Sequence, residues 1–244
     1  MSKDDFFEQD PNLLTSRYNA WADQFAIKDC KVLDLGCNYA TAGDYFLERG
    51  ALKYVGIDLD CSTIKNSNKL LSNKFENSKF LLVNSSIDDF LENNTETFDI
   101  VLLGVIIHGT GDIIELFKKI SKITNRVVVE TAHPFYLTYG SNVNMLSSED
   151  LYNLEYKTAV VEVHEETTSK HVNFLHSMKY LSIIFNRLGF IENYKPYEQL
   201  KKELPNIYGF DLNSRLGLAK RYMLIFNKTT SQEQTPIIWA DHFE

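Results

Sequence analysis

Short apolar runs alternate along the chain with longer stretches whose apolar positions recur every three or four residues. The short runs are typical of buried strands, and the longer stretches are typical of amphipathic helices. Between residues 30 and 133 the two patterns alternate through five strands, which predicts a parallel sheet with right-handed helical crossovers. The predicted strands are Val32–Leu35, Tyr54–Asp58, Lys79–Val83, Phe98–Leu103 and Arg126–Glu130. The predicted helices around them are Leu13–Ile27, Thr41–Gly50, Cys61–Ser72 and Asp112–Ile123.

This alternation breaks after the fifth strand. Residues 134–173 are rich in Tyr, Asn, Ser and Thr and too long for an ordinary connection, so we interpret them as a cap insertion with a strand-like piece at Thr158–His164. A helix at Phe174–Leu188 and strands at Phe190–Tyr194 and Arg221–Asn227 follow. The 244 residues are predicted to form one domain. Its segments are an N-terminal helical part (1–29), a ligand-binding core (30–133), the cap (134–173), the rest of the core (174–228) and a tail (229–244).

The composition narrows the classes of partner. The chain has 33 acidic and 25 basic residues, a formal charge of −8 and no basic block, which disfavours long polyanions such as nucleic acids. Its three cysteines have no C-x-x-C spacing, which indicates a reducing compartment and no structural zinc. The acidic N-terminus is unlike a secretory signal, and no apolar run reaches the roughly 18 residues of a membrane helix. We therefore expect a cytoplasmic protein without a membrane span.

The stretch from Lys31 to Gly43 is the clearest candidate for a ligand site. A strand there ends at Gly36 and leads into a helix, an arrangement in which free backbone N–H groups converge. The second and third glycines of a dinucleotide-binding G-x-G-x-x-G pattern are missing, although Asn38 can adopt the left-handed conformation of a glycine. A ligand with an amino acid end and a nucleoside end therefore fits better than a pyrophosphate. Asp34 supplies a hydrogen-bond acceptor at the carboxyl end of the strand.

The sequence VLDLGC, followed by a second strand that ends in GIDLD, resembles motif I and its partner in the class I S-adenosylmethionine-dependent methyltransferases. The resemblance covers residues 30–132 and extends to the last strand. It implies a Rossmann-like α/β fold, with a seven-stranded, mostly parallel sheet, helices on both faces, an antiparallel last strand and a cap insertion after the fifth strand. It also implies an enzyme of EC 2.1.1 type that uses S-adenosylmethionine and releases S-adenosylhomocysteine.

The nucleoside half of this cofactor is expected along the second and third strands. Asp58 ends the second strand roughly 20 residues after the glycine turn, where an acid accepts hydrogen bonds from the ribose hydroxyls. Leu59 is then expected against the adenine. The resemblance puts Ser86 where an Asp often meets the adenine amino group, and Ile87 where a backbone N–H meets the ring. This Ser departs from the family pattern, and Asp88 is the alternative if the alignment shifts by two residues.

The methionine half is expected near Asp34, Gly36 and Asn38 of the turn. The resemblance implies that the Gly104 carbonyl holds the cofactor's amino group. Arg17 is expected to bind the carboxylate, because the guanidinium fork matches a carboxylate bidentately. The alternative for Arg17 is the solvated margin of an aromatic helix.

Two histidines are the candidate catalytic residues. His108 and His133 follow the fourth and fifth strands, and an unperturbed histidine pKa of about 6.5 suits removal of an acceptor's proton. The alternative for His108 is to cap the next helix or to pack under the cofactor. A metal is not expected, because His164, His171 and His176 are separated by seven and five residues and do not share a helical face.

The acceptor is expected to be a small polar metabolite, methylated on oxygen, such as a sugar or a phosphorylated intermediate. Lys157, Lys170 and Lys179 are the cations near the cap that would meet an anionic group, unless they are ordinary surface charges. Two alternatives stay open, a methyltransferase for a tRNA wobble base and a non-catalytic protein that binds the cofactor. We expect no membrane partner, disfavour nucleic acid and keep a homodimer open.

Overall fold

The structure is a computed structural model, and it describes residues 18, 19, 22, 26–104, 107, 112–132, 160–166, 169–176, 178–193, 202 and 221–229. Within these residues the chain forms a seven-stranded sheet and a separate two-stranded sheet. The strands are β1 (Lys31–Leu35), β2 (Lys53–Asp58), β3 (Phe80–Asn84), β4 (Ile100–Leu103), β5 (Arg126–Ala132), β6 (Val160–Glu166), β7 (Ser169–Leu175), β8 (Phe190–Asn193) and β9 (Arg221–Lys228).

The order of strands in the large sheet is β3-β2-β1-β4-β5-β9-β8. Strands β1 to β5 pair in parallel, whereas β9 is antiparallel to both β5 and β8. The chain runs outward from β1 to β3 and then returns to the other side of β1, so the order reverses between β1 and β4. In open α/β sheets a ligand crevice lies at such a reversal, at the carboxyl ends of the strands. The predicted seven-stranded, mostly parallel sheet with an antiparallel last strand is confirmed.

The helices are α1 (Thr41–Glu48), α2 (Cys61–Ser72), α3 (Ile87–Asn93), α4 (Ile113–Ile123) and α5 (Met178–Arg187). Helix α2 has its predicted bounds, because the Asp60 side chain accepts hydrogen bonds from the backbone N–H groups of Ser62 and Thr63 and fixes the first turn. Helix α1 ends two residues before the predicted stop at Gly50, whose φ of 86° ends the helical conformation. Tyr18, Asn19 and Ala22 are helical, as predicted for the N-terminal segment.

Helices cover both faces of the large sheet. Helix α1 lies on one face, where a Cβ atom added to Gly43 would lie only 2.6 Å from the Tyr54 ring of β2. We call this the α1 face. Helices α4 and α5 lie on the other face, where the ring of Phe185 stacks on Phe117 at 4.2 Å and on Phe226 of β9 at 4.0 Å. This three-layer arrangement is the one predicted.

A hairpin of β6 and β7 lies within the sequence predicted as a cap, and it differs from the expectation at its end. Strand β7 runs to Leu175, so residues 174 and 175 are strand and not the start of a helix as predicted. The cap boundary at residue 173 therefore falls inside this strand. The backbone register pairs His164 with His171 directly across the hairpin. The helical spacing used to argue against a metal at these histidines therefore does not apply to them, because they lie on strands.

No helix in the described part of the chain is both long and apolar enough to span a bilayer.

Candidate cofactor and acceptor site

The strand register brings the predicted acids of the large sheet to one face. Asp34 on β1 pairs with Gly56 on β2 and with Leu102 on β4. Leu102 in turn pairs with Val128 on β5. Because residues in register on parallel strands share a face and alternate residues return to it, this row lies on the α1 face.

The next row on the α1 face lies two residues further along each strand, at the carboxyl edge of the sheet. Asp58 of β2 pairs there with Asn84 of β3. Gly36 directly follows β1, Gly104 directly follows β4, and Glu130 of β5 reaches the same level. The row therefore combines carboxylates with two glycines, which have no side chain to cover their backbone. It lies where the order of the strands reverses.

The turn after β1 keeps a glycine-like backbone although two of its residues are not glycine. Gly36, Asn38 and Ala40 have φ values of 79°, 47° and 52°, all in the left-handed region. Asn38 was expected to tolerate this conformation. Ala40, which is 1% exposed, adopts it as well, at a cost of about 1–2 kcal/mol for an L-residue with a Cβ atom. The turn is therefore strained at Ala40.

Replacing Ala40 by glycine is expected to stabilise the protein by about 0.5–1 kcal/mol, because the left-handed strain is removed and only part of the gain is lost to the more flexible unfolded chain. Denaturant unfolding followed by circular dichroism measures this change. Ala42→Gly in the regular part of α1 is the matched control, and it should destabilise by about 1 kcal/mol. If both variants lose stability equally, the turn holds no strain at position 40.

The backbone N–H groups of this turn are not free, contrary to the expectation from sequence. Those of Gly36 and Cys37 both donate to the Ile57 carbonyl, at 2.8 and 2.9 Å. The N–H of Asn38 donates to Asp58 Oδ2 at 2.9 Å, and that of Ala40 donates to the Cys37 carbonyl at 2.8 Å. A pyrophosphate would need these donors. These four N–H groups are therefore already engaged within the protein, which agrees with the choice of a nucleoside ligand over a dinucleotide.

Asp58 is held so that part of its carboxylate remains available. Oδ2 accepts from Asn38 N, and Oδ1 accepts from Asp60 N at 2.9 Å. The Asn84 side-chain amide donates to the carbonyls of Asp58 and Leu59, at 3.0 and 2.8 Å. Since a carboxylate offers about four acceptor sites, about two remain for the ribose hydroxyls. The residues present therefore fit the nucleoside end of the cofactor.

Leu59 is the apolar surface next to this carboxylate. It is 75% exposed. Ile87 is partly buried and packs against the core. A flat aromatic base would cover exposed apolar area of this kind, and the contact of both residues with the adenine stays a prediction.

Ser86 is the N-cap residue of α3, a role that was not predicted from the sequence. Its hydroxyl accepts from the Asp89 backbone N–H at 3.0 Å and donates to the Asp89 carboxylate at 2.7 Å. This reciprocal pair caps the start of α3. The Asp88 carboxylate contacts Lys119 at 3.3 Å on the surface. An adenine contact of Ser86 therefore stays a prediction.

Asp34 lies one row below the edge of the sheet and is 7% exposed. Its Oδ2 accepts a hydrogen bond from the hydroxyl of Tyr54 at 2.7 Å. Burial raises the pKa of the Tyr54 hydroxyl, and the neighbouring Asp34 charge raises that pKa further. The tyrosine therefore stays protonated and donates to Asp34, which fixes one side of this carboxylate.

Cys37 fills a space that Gly56 leaves on the neighbouring strand. A Cβ atom at Gly56 would lie 2.9 Å from Cys37 Sγ and 2.8 Å from a methyl carbon of Leu82. Burial raises the pKa of the Cys37 thiol well above its usual range, and the charges of Asp34 and Asp58 raise that pKa further. The thiol is thus an uncharged packing group below the turn and not a nucleophile.

The remaining predicted residues divide between the described and the undescribed parts of the chain. Gly104 is described, and among the described residues a Cβ atom built there would have no neighbour within 4 Å. Arg17, His108 and His133 lie outside the described residues. Their roles stay predictions.

His176 and Glu130 are two buried polar residues whose position the sequence analysis did not recognise. His176, 5% exposed, stacks on Tyr180 with ring centroids 5.5 Å apart. Burial lowers its pKa to about 4, although a contact with the Ile107 backbone acts in the opposite direction. Glu130 is 8% exposed. Neither position could be found from local periodicity, because burial at these places depends on strands and helices far apart in sequence.

Among the residues that the structure describes, no group of three or more His, Cys, Asp or Glu residues is arranged to hold a metal ion. Helix-start acids such as Asp60 are accounted for by capping, which lowers the pKa of Asp60 to about 2 through hydrogen bonds from Ser62 and Thr63.

Residues 33–126, which span the glycine turn, Asp58 and Gly104, match the family described as a methyltransferase domain. No curated protein matches the sequence of the chain. The match covers the part of the chain in which the acids and glycines of the α1 face are brought together.

Solved structures share the fold over most of the chain. A protein of Listeria monocytogenes assigned to the S-adenosylmethionine-dependent methyltransferases is 14% identical, with a TM-score of 0.61 over 88% of this chain and 99% of that one. An S-adenosylmethionine-dependent methyltransferase of Mesorhizobium loti is 13% identical, with a TM-score of 0.57 over 87% and 98% of the two chains. Magnesium protoporphyrin IX methyltransferase of Synechocystis, solved with S-adenosylhomocysteine, is 11% identical, with a TM-score of 0.59 over 89% and 83%.

At these identities the solved structures establish a common fold, and residues 33–126 carry the methyltransferase domain. Both findings support the predicted superfamily, enzyme class and cofactor. The chain thus contains a methyltransferase domain within the fold of the S-adenosylmethionine-dependent methyltransferases.

Proposed function

We propose that this methyltransferase acts on an oxygen atom of a small polar metabolite, such as a sugar or a phosphorylated intermediate. The observation that supports a small acceptor is the negative charge of the protein, −8 overall, together with the carboxylates on the α1 face. A long polyanion would be repelled by this charge distribution. Lys157, Lys170 and Lys179 are the cations that would meet a single anionic group of the acceptor.

Different residues of the chain bind different parts of the cofactor. Asp58 accepts hydrogen bonds from the ribose hydroxyls, and Leu59 and Ile87 contact the adenine. The Gly104 carbonyl accepts from the amino group, and Arg17 binds the carboxylate. The sulfonium of the bound cofactor supplies an already activated methyl group. The protein therefore contributes orientation and the removal of a proton from the acceptor.

His108 and His133 are the proposed proton acceptors. His108 follows the buried Ile107 in the segment after β4, and His133 directly follows β5. Because β4 and β5 are parallel neighbours, the chain leaves both strands at the carboxyl edge of the sheet, which supports this proposal for the two histidines. A neutral imidazole there takes the proton of an acceptor hydroxyl as the methyl group is transferred.

Replacing Asp58 by alanine is expected to weaken cofactor binding by about 1–3 kcal/mol, because the ribose hydroxyls lose their hydrogen-bond acceptor. Isothermal titration of S-adenosylmethionine and S-adenosylhomocysteine measures this loss. Asp44→Ala is the matched control, because Asp44 lies on α1 and forms an exposed ion pair with Lys74. The affinity of this variant for the cofactor should equal that of the wild type. Unchanged affinity of Asp58→Ala would remove this residue from the site.

An acceptor survey tests the oxygen specificity. Purified protein is incubated with methyl-labelled S-adenosylmethionine and hydroxyl, phosphate, amine and thiol compounds, and with tRNA. We expect label on a hydroxyl compound. Retention of the protein on tRNA at physiological salt, with label in the RNA, would favour the tRNA alternative. Cofactor binding without transfer to any acceptor would favour a non-catalytic protein.

The proposal includes a cytoplasmic location and leaves the choice between a monomer and a homodimer to sedimentation velocity measurements.

A further inference from the structure

Glu130 is a buried carboxylate on β5, in the row at the carboxyl edge of the large sheet. Its side chain is 8% exposed, whereas its neighbour Val129 and its register partner Met223 on β9 are 0% and 1% exposed. A charged carboxylate in such surroundings is costly unless cationic or hydrogen-bond-donating groups surround it. Its position therefore indicates a use for the charge at this point of the fold.

The register shows what lies beside Glu130. Leu103 pairs with Val129, so Gly104, the residue that follows β4, is at the level of Glu130 on the neighbouring strand, and paired strands lie about 4.8 Å apart. Glu130 follows Val128 by two residues, and the row of Val128 and Leu102 also contains Asp34. Glu130 consequently shares the α1 face with Asp34, one row closer to the carboxyl edge.

We propose that Glu130 recognises the ammonium group of the cofactor's methionine end, next to the Gly104 carbonyl. The inference rests on the cofactor site proposed above, in which that carbonyl accepts from the same group. An ammonium carries three N–H donors, and a carboxylate offers about four acceptor sites. Glu130 can therefore serve the cofactor together with any partner that it has in the protein. A hydrogen bond between two charged groups is also about twice as strong as one to a neutral carbonyl.

Three ligands that share the adenosine part and a neutral sulfur test this assignment. S-adenosylhomocysteine carries both the ammonium and the carboxylate, its decarboxylated analogue keeps the amine alone, and 5′-methylthioadenosine has neither. Isothermal titration of each ligand into wild-type protein and into Glu130→Gln gives six affinities. We expect the substitution to lower the affinity for the first two ligands by about 10- to 100-fold, which is the usual effect of losing a charged hydrogen-bond partner. Affinity for 5′-methylthioadenosine should stay within twofold.

Each other pattern overturns the proposal in a distinct way. Loss of affinity for S-adenosylhomocysteine alone would mean that Glu130 acts through the carboxylate end, for example by orienting Arg17. An equal loss for all three ligands would mean a general structural role, and no loss would remove Glu130 from the site. Asp58→Asn is the matched control, and it should weaken all three ligands because each contains the ribose.

Two further results keep the test decisive. If Glu130→Gln does not fold, Glu130→Asp retains the charge on a shorter side chain, and it should still weaken the two amine-bearing ligands selectively. An unselective effect of Glu130→Asp would count against the proposal. If wild-type protein binds none of the three ligands, the proposed cofactor site itself is wrong, which is a different outcome from binding that is insensitive to residue 130.

Discussion

Single-turnover methyl transfer by His108→Ala is expected to be about 10²–10⁴-fold slower than wild type, because a general base within hydrogen-bond reach of the acceptor contributes about this factor. The measurement uses saturating S-adenosylmethionine and the acceptor found in the survey. The same measurement on His133→Ala ranks the two histidines. If the rate falls only in His133→Ala, then His133 and not His108 is the main proton acceptor.

The pH dependence of the rate separates these two histidines from the buried His176. A general base must be deprotonated, so the rate should rise with pH through the pKa of the base and then level off. An inflection near the ordinary histidine value of about 6.5 fits His108 or His133. An inflection near 4 would implicate His176, whose pKa burial lowers to about 4.

The acceptor type provides a control for the same experiment. A phosphate oxygen is already deprotonated near neutral pH and needs no base, whereas a sugar hydroxyl does need one. If the acceptor is a hydroxyl and both variants remain within a few-fold of wild type, the general-base hypothesis is wrong. Catalysis would then depend on proximity and orientation alone.

The parts of the fold that were predicted correctly are those fixed by neighbours in sequence. The strand before Gly36 and the bounds of α2 follow from a short apolar run and from the Asp60 cap, both of which are local signals. The hairpin of β6 and β7 shows where prediction from local sequence fails. Phe174 was assigned to a helix, because its place on a strand depends on pairing with Val161, thirteen positions earlier.

In the candidate site, too, the features that depend on contacts between distant parts of the chain could not be predicted. The turn was expected to offer free N–H groups, but the Ile57 carbonyl of a different strand takes those of Gly36 and Cys37. Asp58 could be identified from its distance along the chain to Gly36, which the fold keeps constant. The place of Glu130 at the level of Gly104 could not be predicted, because it depends on the register between β4 and β5.

Replacing Gly43 by alanine is expected to destabilise the protein by about 2–4 kcal/mol, through overpacking and the loss of a buried hydrogen bond. A Cβ atom at this position would lie 2.6 to 3.0 Å from three atoms of the Tyr54 ring. The ring is fully buried and cannot turn away freely. Moving it would also pull its hydroxyl from Asp34, which would leave that carboxylate without one of its donors. Chemical denaturation of the two proteins measures the difference.

The sign of this effect distinguishes packing from helix propensity. Gly43 lies inside α1, where alanine is intrinsically better than glycine by up to about 1 kcal/mol. Propensity alone would therefore stabilise the variant, and a stabilised Gly43→Ala would contradict the close approach of α1 to β2. Tyr54→Val removes the ring, so Gly43→Ala should cost much less in that background. A coupling energy near zero in this double-mutant cycle would show that the two residues do not meet. A coupling of about 1–3 kcal/mol would instead show that the position of α1, and with it the glycine turn, depends on the Tyr54–Asp34 pair.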